Sequence, residues 1–175
     1  TEKQPFMQVS ALYMTSDQIL WIGTRNGEIF QLNGDSLLSF NPEEGNPKVA
    51  ITGFASDKSG NLWFSTYGEG VYYYNGKHIY NVNTDDGLTD NYCYNITVDE
   101  QGRIWTATDG GISICSIVKG KKRIQKITTN EGLPDNIVLS LKIAGTEVWA
   151  GMQDAGICKV DIKTLNISVP KASEK

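Results

Sequence analysis

Four tryptophans, Trp21, Trp63, Trp105 and Trp149, recur at intervals of 42, 42 and 44 residues along the chain. Each lies in a short apolar run that is followed by a glycine and a second apolar run. A period of that length, built from short runs and turn residues, is the pattern of a propeller blade, and it constrains the fold more than any other feature.

Each repeat reads as four short strands. In the first, QVSALYMT (8–15) and ILWIGT (19–24) flank a turn at Ser16-Asp17, and EIFQL and SLLSF flank Asn33-Gly34. An Asn-Gly pair between apolar runs is the signal for a two-residue hairpin, and Asn75-Gly76 repeats it in the second unit. The third and fourth units follow the same order, with a longer turn around Lys119 to Lys122 and a short closing run, NISV. With no helical periodicity, the chain reads as all-β: four four-stranded blades at about 8–40, 49–83, 91–128 and 136–168. Together they make one propeller segment, 1–169, followed by a disordered tail, 170–175.

The repeated positions have packing explanations. Two residues after each tryptophan stands Gly23, Ser65, Ala107 or Gly151, which shares a face with the indole and leaves room for the neighbouring blade. The opposite face carries Leu20 and Ile22, Leu62 and Phe64, Ile104 and Thr106, Val148 and Ala150. A sheet apolar on both faces is sandwiched between two others. The tryptophans therefore read as wedges between blades, and truncating a fully buried one to Ala would cost about 3–5 kcal/mol. Gly27, Gly70, Gly111 and Gly156 open the strand after the tryptophan strand, and Asp57 and Asp99 cap the turn before it.

Composition excludes several classes of function. Net charge is −4 and the one basic run, Lys119 to Arg123, sits on a hairpin turn, so a nucleic acid partner is not expected. No stretch approaches the roughly 20 apolar residues of a membrane-spanning helix. No signal pattern opens the chain, which starts at Thr1 and looks trimmed. Cys93, Cys115 and Cys158 lie within strand-like runs and read as small buried hydrophobes, supporting neither a disulfide framework nor a zinc site.

Residues 87–112, GLTDNYCYNITVDEQGRIWTATDGGI, and 132–157, GLPDNIVLSLKIAGTEVWAGMQDAGI, resemble the two-component regulator propeller repeat. That pattern begins Gly-Leu-Pro, passes through Asn and Val to an Asp and Gly-x-Leu-Trp, and ends in Gly-Gly-Leu. The resemblance is good in the second repeat and weaker in the first, and Ile143 replaces the turn aspartate in the fourth. It implies part of a periplasmic sensor from a bacterial histidine kinase or hybrid regulator, a class that often senses glycans. Propellers of the family hold roughly seven blades per ring, within the usual range of the architecture. Four repeats then imply a fragment of a larger ring or a half-ring that pairs with a second copy, and the apolar flank of an open half-ring would drive self-association.

Catalytic chemistry finds little support. The single histidine, His78, follows an Asn-Gly turn on the outside of its repeat. Residues 57–64, DKSGNLWF, are similar to repeats of propeller lyases, but the active-site histidine that those enzymes need has no counterpart. Asp85, Asp86 and Asp135 lack the spacing of an EF-hand loop and read as solvated turn carboxylates. Asn95-Ile96-Thr97 and Asn166-Ile167-Ser168 match the glycosylation sequon, with Asn95 inside a strand. No metal, cofactor or enzymatic activity is expected.

Binding remains. In a propeller the blade-to-blade loops share one rim with the loops between second and third strands. Here they would gather Asp90, Asn91, Tyr92, Asp135 and Asn136 with Arg25, Asn26, Tyr67, Glu69, Asp109, Gln153 and Asp154. Amides, carboxylates and tyrosines on one rim suit a carbohydrate or other small polar ligand. The alternatives are that these residues only build turns, or that the rim or the flank serves a protein-interaction scaffold.

Overall fold

The computed structural model describes residues 8–170, so all but the first residue of the tail expected at 170–175 lies outside the described residues. Sixteen strands form four antiparallel sheets, each in sequential order. Blade 1 holds β1 (Val9–Met14), β2 (Leu20–Thr24), β3 (Ile29–Asn33) and β4 (Ser36–Phe40). Blade 2 holds β5 (Ile51–Ser56), β6 (Leu62–Thr66), β7 (Val71–Tyr74) and β8 (Ile79–Val82). Blade 3 holds β9 (Cys93–Val98), β10 (Ile104–Thr108), β11 (Gly111–Val118) and β12 (Lys121–Ile127). Blade 4 holds β13 (Val138–Ala144), β14 (Glu147–Met152), β15 (Ile157–Asp161) and the short β16 (Ile167–Ser168). The first strands pack in series, β1 on β5, β5 on β9 and β9 on β13. The series does not return from β13 to β1, so the described sheets form part of a propeller rather than a closed ring.

One hydrophobic cluster fills each seam. Trp21, Ile29 and Phe40 of blade 1 meet Phe54, Leu62 and Phe64 of blade 2. Trp63 and Val71 meet Ile96, Ile104 and Cys115, and Trp105, Ile112 and Ile114 meet Leu141, Val148, Ala150 and Cys158. In blades 1 to 3 the tryptophan face thus packs on the apolar face of the next blade. A Cβ added at Gly23 would lie 2.6 Å from the Ile51 side chain, which is why the position beside the first tryptophan must be small. At Gly70, φ is +78° and a Cβ would run into the Val82 carbonyl, so only glycine fits that bend.

Asp57 and Asp99 do more than cap their turns. Asp99 accepts from the backbone of Gln101 and Arg103, and its Oδ2 accepts from Arg103 Nε at 2.7 Å and the Trp105 indole at 2.8 Å. Asp57 binds the Trp63 indole in the same way at 3.0 Å.

The reading of all four tryptophans as wedges fails at Trp149. Trp21, Trp63 and Trp105 are buried, but Trp149 is only half-buried, because among the described residues no blade follows blade 4. Its cross-strand neighbours are Lys142 and Lys159, and the Lys159 ammonium stands 5.7 Å from the indole centroid while pairing with Glu147. The flank at the other end is apolar. There Leu12 and Met14 are 61% and 51% exposed, beside the row Leu20, Leu32 and Leu37.

Two single 3-10 turns, Thr84–Asp86 and Thr129–Glu131, join blades 2 to 3 and 3 to 4. Each has a reciprocal capping box, Asn83 with Asp86 and Thr128 with Glu131, and each ends on a glycine. Periodicity could not reveal elements of one turn.

Candidate functional site

The loops expected on one rim do meet there. Tyr67 N–H donates to Ala50 O, Gly68 N–H to Asn91 O, Asp109 N–H to Tyr92 O and Gln153 N–H to Ile137 O, all at 2.9–3.3 Å. With Arg25 N–H donating to Gln8 O at 2.9 Å in blade 1, these bonds tie every loop between second and third strands to the entry of a first strand.

The first strands contribute a device invisible to pattern reading. Each carries a β-bulge, and the extra residue is Ser10, Thr52, Tyr94 or Leu139. A bulge re-aims a side chain that the pleat would otherwise place on a face. Ser10 and Thr52 use the hydroxyl to bridge to the next blade, donating to Ile51 O at 2.7 Å and Cys93 O at 2.8 Å. Tyr94 instead donates to Asp109 Oδ1 at 2.7 Å. That bond to Asp109, with burial adding to it, pushes the Tyr94 phenol well above its ordinary value, so it stays a donor to the carboxylate.

A shallow cleft of about 440 Å³ results, lined by Ser10, Arg25, Thr52, Tyr67 and Tyr94. The Tyr67 ring meets Tyr92 edge-on at 5.1 Å and Tyr94 at 5.8 Å, and both Tyr67 and Tyr92 remain exposed. Among the described residues Arg25 forms no ion pair. The cleft therefore offers aromatic faces, one guanidinium and hydroxyls, with the Asp109 carboxylate bonded to Tyr94 beside it.

The rim residues expected from sequence divide in two. Arg25, Tyr67, Tyr92 and Asp109 converge at or beside the cleft. Asn26 is held by Thr24 and Glu28, and Glu69 accepts from the Tyr72 hydroxyl at 2.8 Å. Asn91 and Asn136 accept from the backbone of Thr84 and Thr129, fastening the 3-10 turns. Gln153 and Asp154 are exposed on blade 4, where the Asp154 backbone donates to Asp135 at 3.3 Å. Tyr94 escaped the sequence reading because it lies in a strand. The signal available was its place 42 residues after Thr52 and 84 after Ser10, a large aromatic where the repeat has small hydroxyls.

Elsewhere, His78 Nδ1 lies 2.6 Å from Glu44 Oε1 on an exposed outer turn. Among the described residues no group of three or more His, Cys, Asp or Glu is placed to hold a metal ion. The three cysteines are buried and unpaired, and burial pushes the Cys93 and Cys115 thiols up to about 12. The Asn95 amide oxygen accepts from Leu141 N–H at 3.2 Å across a seam, which removes that sequon from the surface loops.

The profile of the two component regulator propeller family matches residues 3–26 and 87–110. Two stretches, one in the first repeat and one in the third, thus match the two component regulator propeller repeat. In the regulator propeller pattern the opening Gly-Leu now has a structural meaning: Gly87 and Gly132 close the 3-10 turns, and Leu88 and Leu133 plunge into the seams. Among solved structures the chain is similar to the extracellular domain of a putative hybrid two component system from B. thetaiotaomicron, at 18% identity and TM-score 0.73, over 91% of this chain and 24% of that one. It is similar also to the extracellular domain of a putative one component system from that organism, at 19% identity and TM-score 0.72, over 93% and 25%. Virginiamycin B lyase from Staphylococcus aureus matches at 14% identity and TM-score 0.72, over 100% and 59%. The chain thus spans about a quarter of the length of the first two, and at these identities the likeness is one of fold. No curated protein sequence matches the chain. Among the described residues no helix is long and apolar enough to cross a membrane.

Proposed function

We propose that this chain is a non-catalytic, ligand-sensing segment of an extracytoplasmic two-component regulator propeller, and that its rim recognises glycans in the periplasm. The observation that carries the reading is the convergence of Tyr67, Tyr94 and Arg25 at one cleft, with Tyr92 packed on Tyr67 and Asp109 bonded to Tyr94. Sugar rings present apolar faces that stack on aromatic side chains and hydroxyls that both donate and accept. The cleft supplies each of those needs, whereas the chain's single histidine stands on an outer turn paired with Glu44. The extracellular domains among the structural neighbours support the compartment.

Calorimetry against a panel of oligosaccharides tests the reading. At least one glycan is expected to bind, and Tyr67→Ala or Arg25→Ala to weaken it roughly tenfold or more, about 1.4 kcal/mol. Asn136→Ala, which alters a turn on another blade, leaves affinity unchanged. Absence of binding across the panel overturns the glycan reading in favour of a protein-interaction scaffold, for which the exposed Leu12 and Met14 on the flank of blade 1 speak. That flank would be covered by a further blade of a longer chain or by a second copy.

A further inference from the structure

The opposite edge of the sheets carries a larger groove that the rim reading does not use. It runs between blades 1 and 2, has a volume of about 680 Å³, and is lined by Tyr13, Trp21, Tyr74 and the turns 15–19 and 56–60. The corresponding depression between blades 2 and 3 is half that size, about 320 Å³. At the seam between blades 3 and 4 Arg103 reaches across to the Ile162 carbonyl.

The groove owes its chemistry to one departure from the repeat. Six residues before Trp63 and Trp105 stand Asp57 and Asp99, which accept the indole N–H. Six residues before Trp21 stands Thr15. Its hydroxyl donates to Ile19 O at 2.9 Å and accepts from Ile19 N–H at 3.1 Å, and it is too short to serve the indole as well. Among the described residues the Trp21 N–H has no acceptor, and the repeat directs it toward the turn that borders the groove.

The other polar groups of the lining are mostly spent. Asp57 takes four donors, from Ser59, from the backbone and side chain of Asn61, and from Trp63. The Tyr74 hydroxyl donates to Gly76 O at 2.7 Å. What remains is the Trp21 donor, the hydroxyls of Tyr13, Ser16 and Ser56, the Lys58 ammonium and the Asp17 carboxylate, beside three aromatic rings. Two carboxylates, Asp17 and Asp57, face one cation, Lys58, so the lining is acidic on balance.

A partner for such a surface offers carbonyl acceptors to these donors, packs apolar rings on the aromatic side chains and brings a cation for Asp17. Proline-rich peptides meet those terms: prolyl residues have no N–H, their carbonyls stand free in the polyproline II helix, and their rings pack on aromatic grooves. We propose that this groove binds a proline-rich basic peptide, with the Trp21 N–H donating to a peptide carbonyl, proline rings against Tyr13 and Tyr74, and an arginine or lysine pairing with Asp17. The site is independent of the rim and of whatever ligand binds there.

The test is a titration of the chain with a synthetic proline decapeptide carrying one arginine, followed by the indole N–H signals in NMR and by calorimetry. The signal absent from Trp21→Phe is expected to move on binding while the other three stay. Thr15→Asp restores the acceptor of blades 2 and 3; it is expected to raise the thermal midpoint and to weaken the peptide roughly tenfold, since the donor is then occupied. Asp17→Asn, a surface change that leaves folding intact, lowers affinity and flattens its dependence on salt. The proposal is overturned if millimolar peptide moves no indole signal, or if Thr15→Asp and Asp17→Asn both bind as tightly as the parent chain.

Discussion

The indole N–H of Trp105 donates to Asp99 Oδ2 at 2.8 Å, at a point where the Asp99 side chain is 0% exposed and Trp105 is 0% exposed. The carboxylate also holds Arg103, which reaches on to blade 4, so one aspartate ties a turn, a wedge and a seam together. Asp99→Ala would strand a buried donor and a largely buried guanidinium at once. A loss of about 3 kcal/mol is expected, read as a lowered urea midpoint at unchanged slope. A loss under about 0.5 kcal/mol would show that water replaces the carboxylate.

The same carboxylate sets a pH dependence. Burial works to raise the Asp99 pKa, but hydrogen bonds from Trp105 and Arg103 and the charge of Arg103 outweigh it and hold the group below its ordinary value. A depressed folded pKa gives stability that is fully present above the unfolded value of about 3.9 and is lost as pH falls through the folded one. Urea midpoints measured from about pH 5 down to about pH 2 should therefore fall more steeply for the parent chain than for Asp99→Asn.

The tryptophans should not be equivalent. Trp105→Ala opens a cavity in a closed seam and is expected to cost about 4 kcal/mol. Trp149→Ala removes a half-buried ring from a free flank and is expected to cost about 1 kcal/mol. Equal losses in parallel urea melts would mean that blade 4 is covered in solution.

Gln18 has φ of +64° in the turn where blades 2 and 3 place Gly60 and Gly102. A side chain in the left-handed region costs roughly 1–2 kcal/mol, partly offset by the greater entropy that glycine loses on folding. Gln18→Gly is expected to raise stability by about 0.5–1 kcal/mol, seen as a higher thermal midpoint with no change in binding at the rim.

Much of the architecture was legible because it rests on local pattern repeated four times. Strand positions, hairpin turns, the small residue beside each tryptophan and the sharing of one rim by two sets of loops all follow from spacing and residue type. The site was legible only in part. Asn26, Glu69, Asn91 and Asn136 are rim residues, as expected, but their side chains are consumed by turns that pattern reading treats as generic. Tyr94 was hidden because a bulge turns a strand residue out of its face, and a bulge is a fact about pairing with a neighbour.

DEQGRIWTATDGG, residues 99–111, with its three counterparts, was enough by itself to determine an all-β chain of propeller blades, since side-chain alternation and glycine bends are properties of short segments. Tertiary structure alone decided which indoles are wedges. Lys142 and Lys159 stand far from each other in the chain and flank Trp149 only through strand register, and Thr15 matters only because Trp21 faces a groove built by two blades. Burial and hydrogen-bond satisfaction belong to pairs of surfaces, and a linear pattern describes one surface at a time.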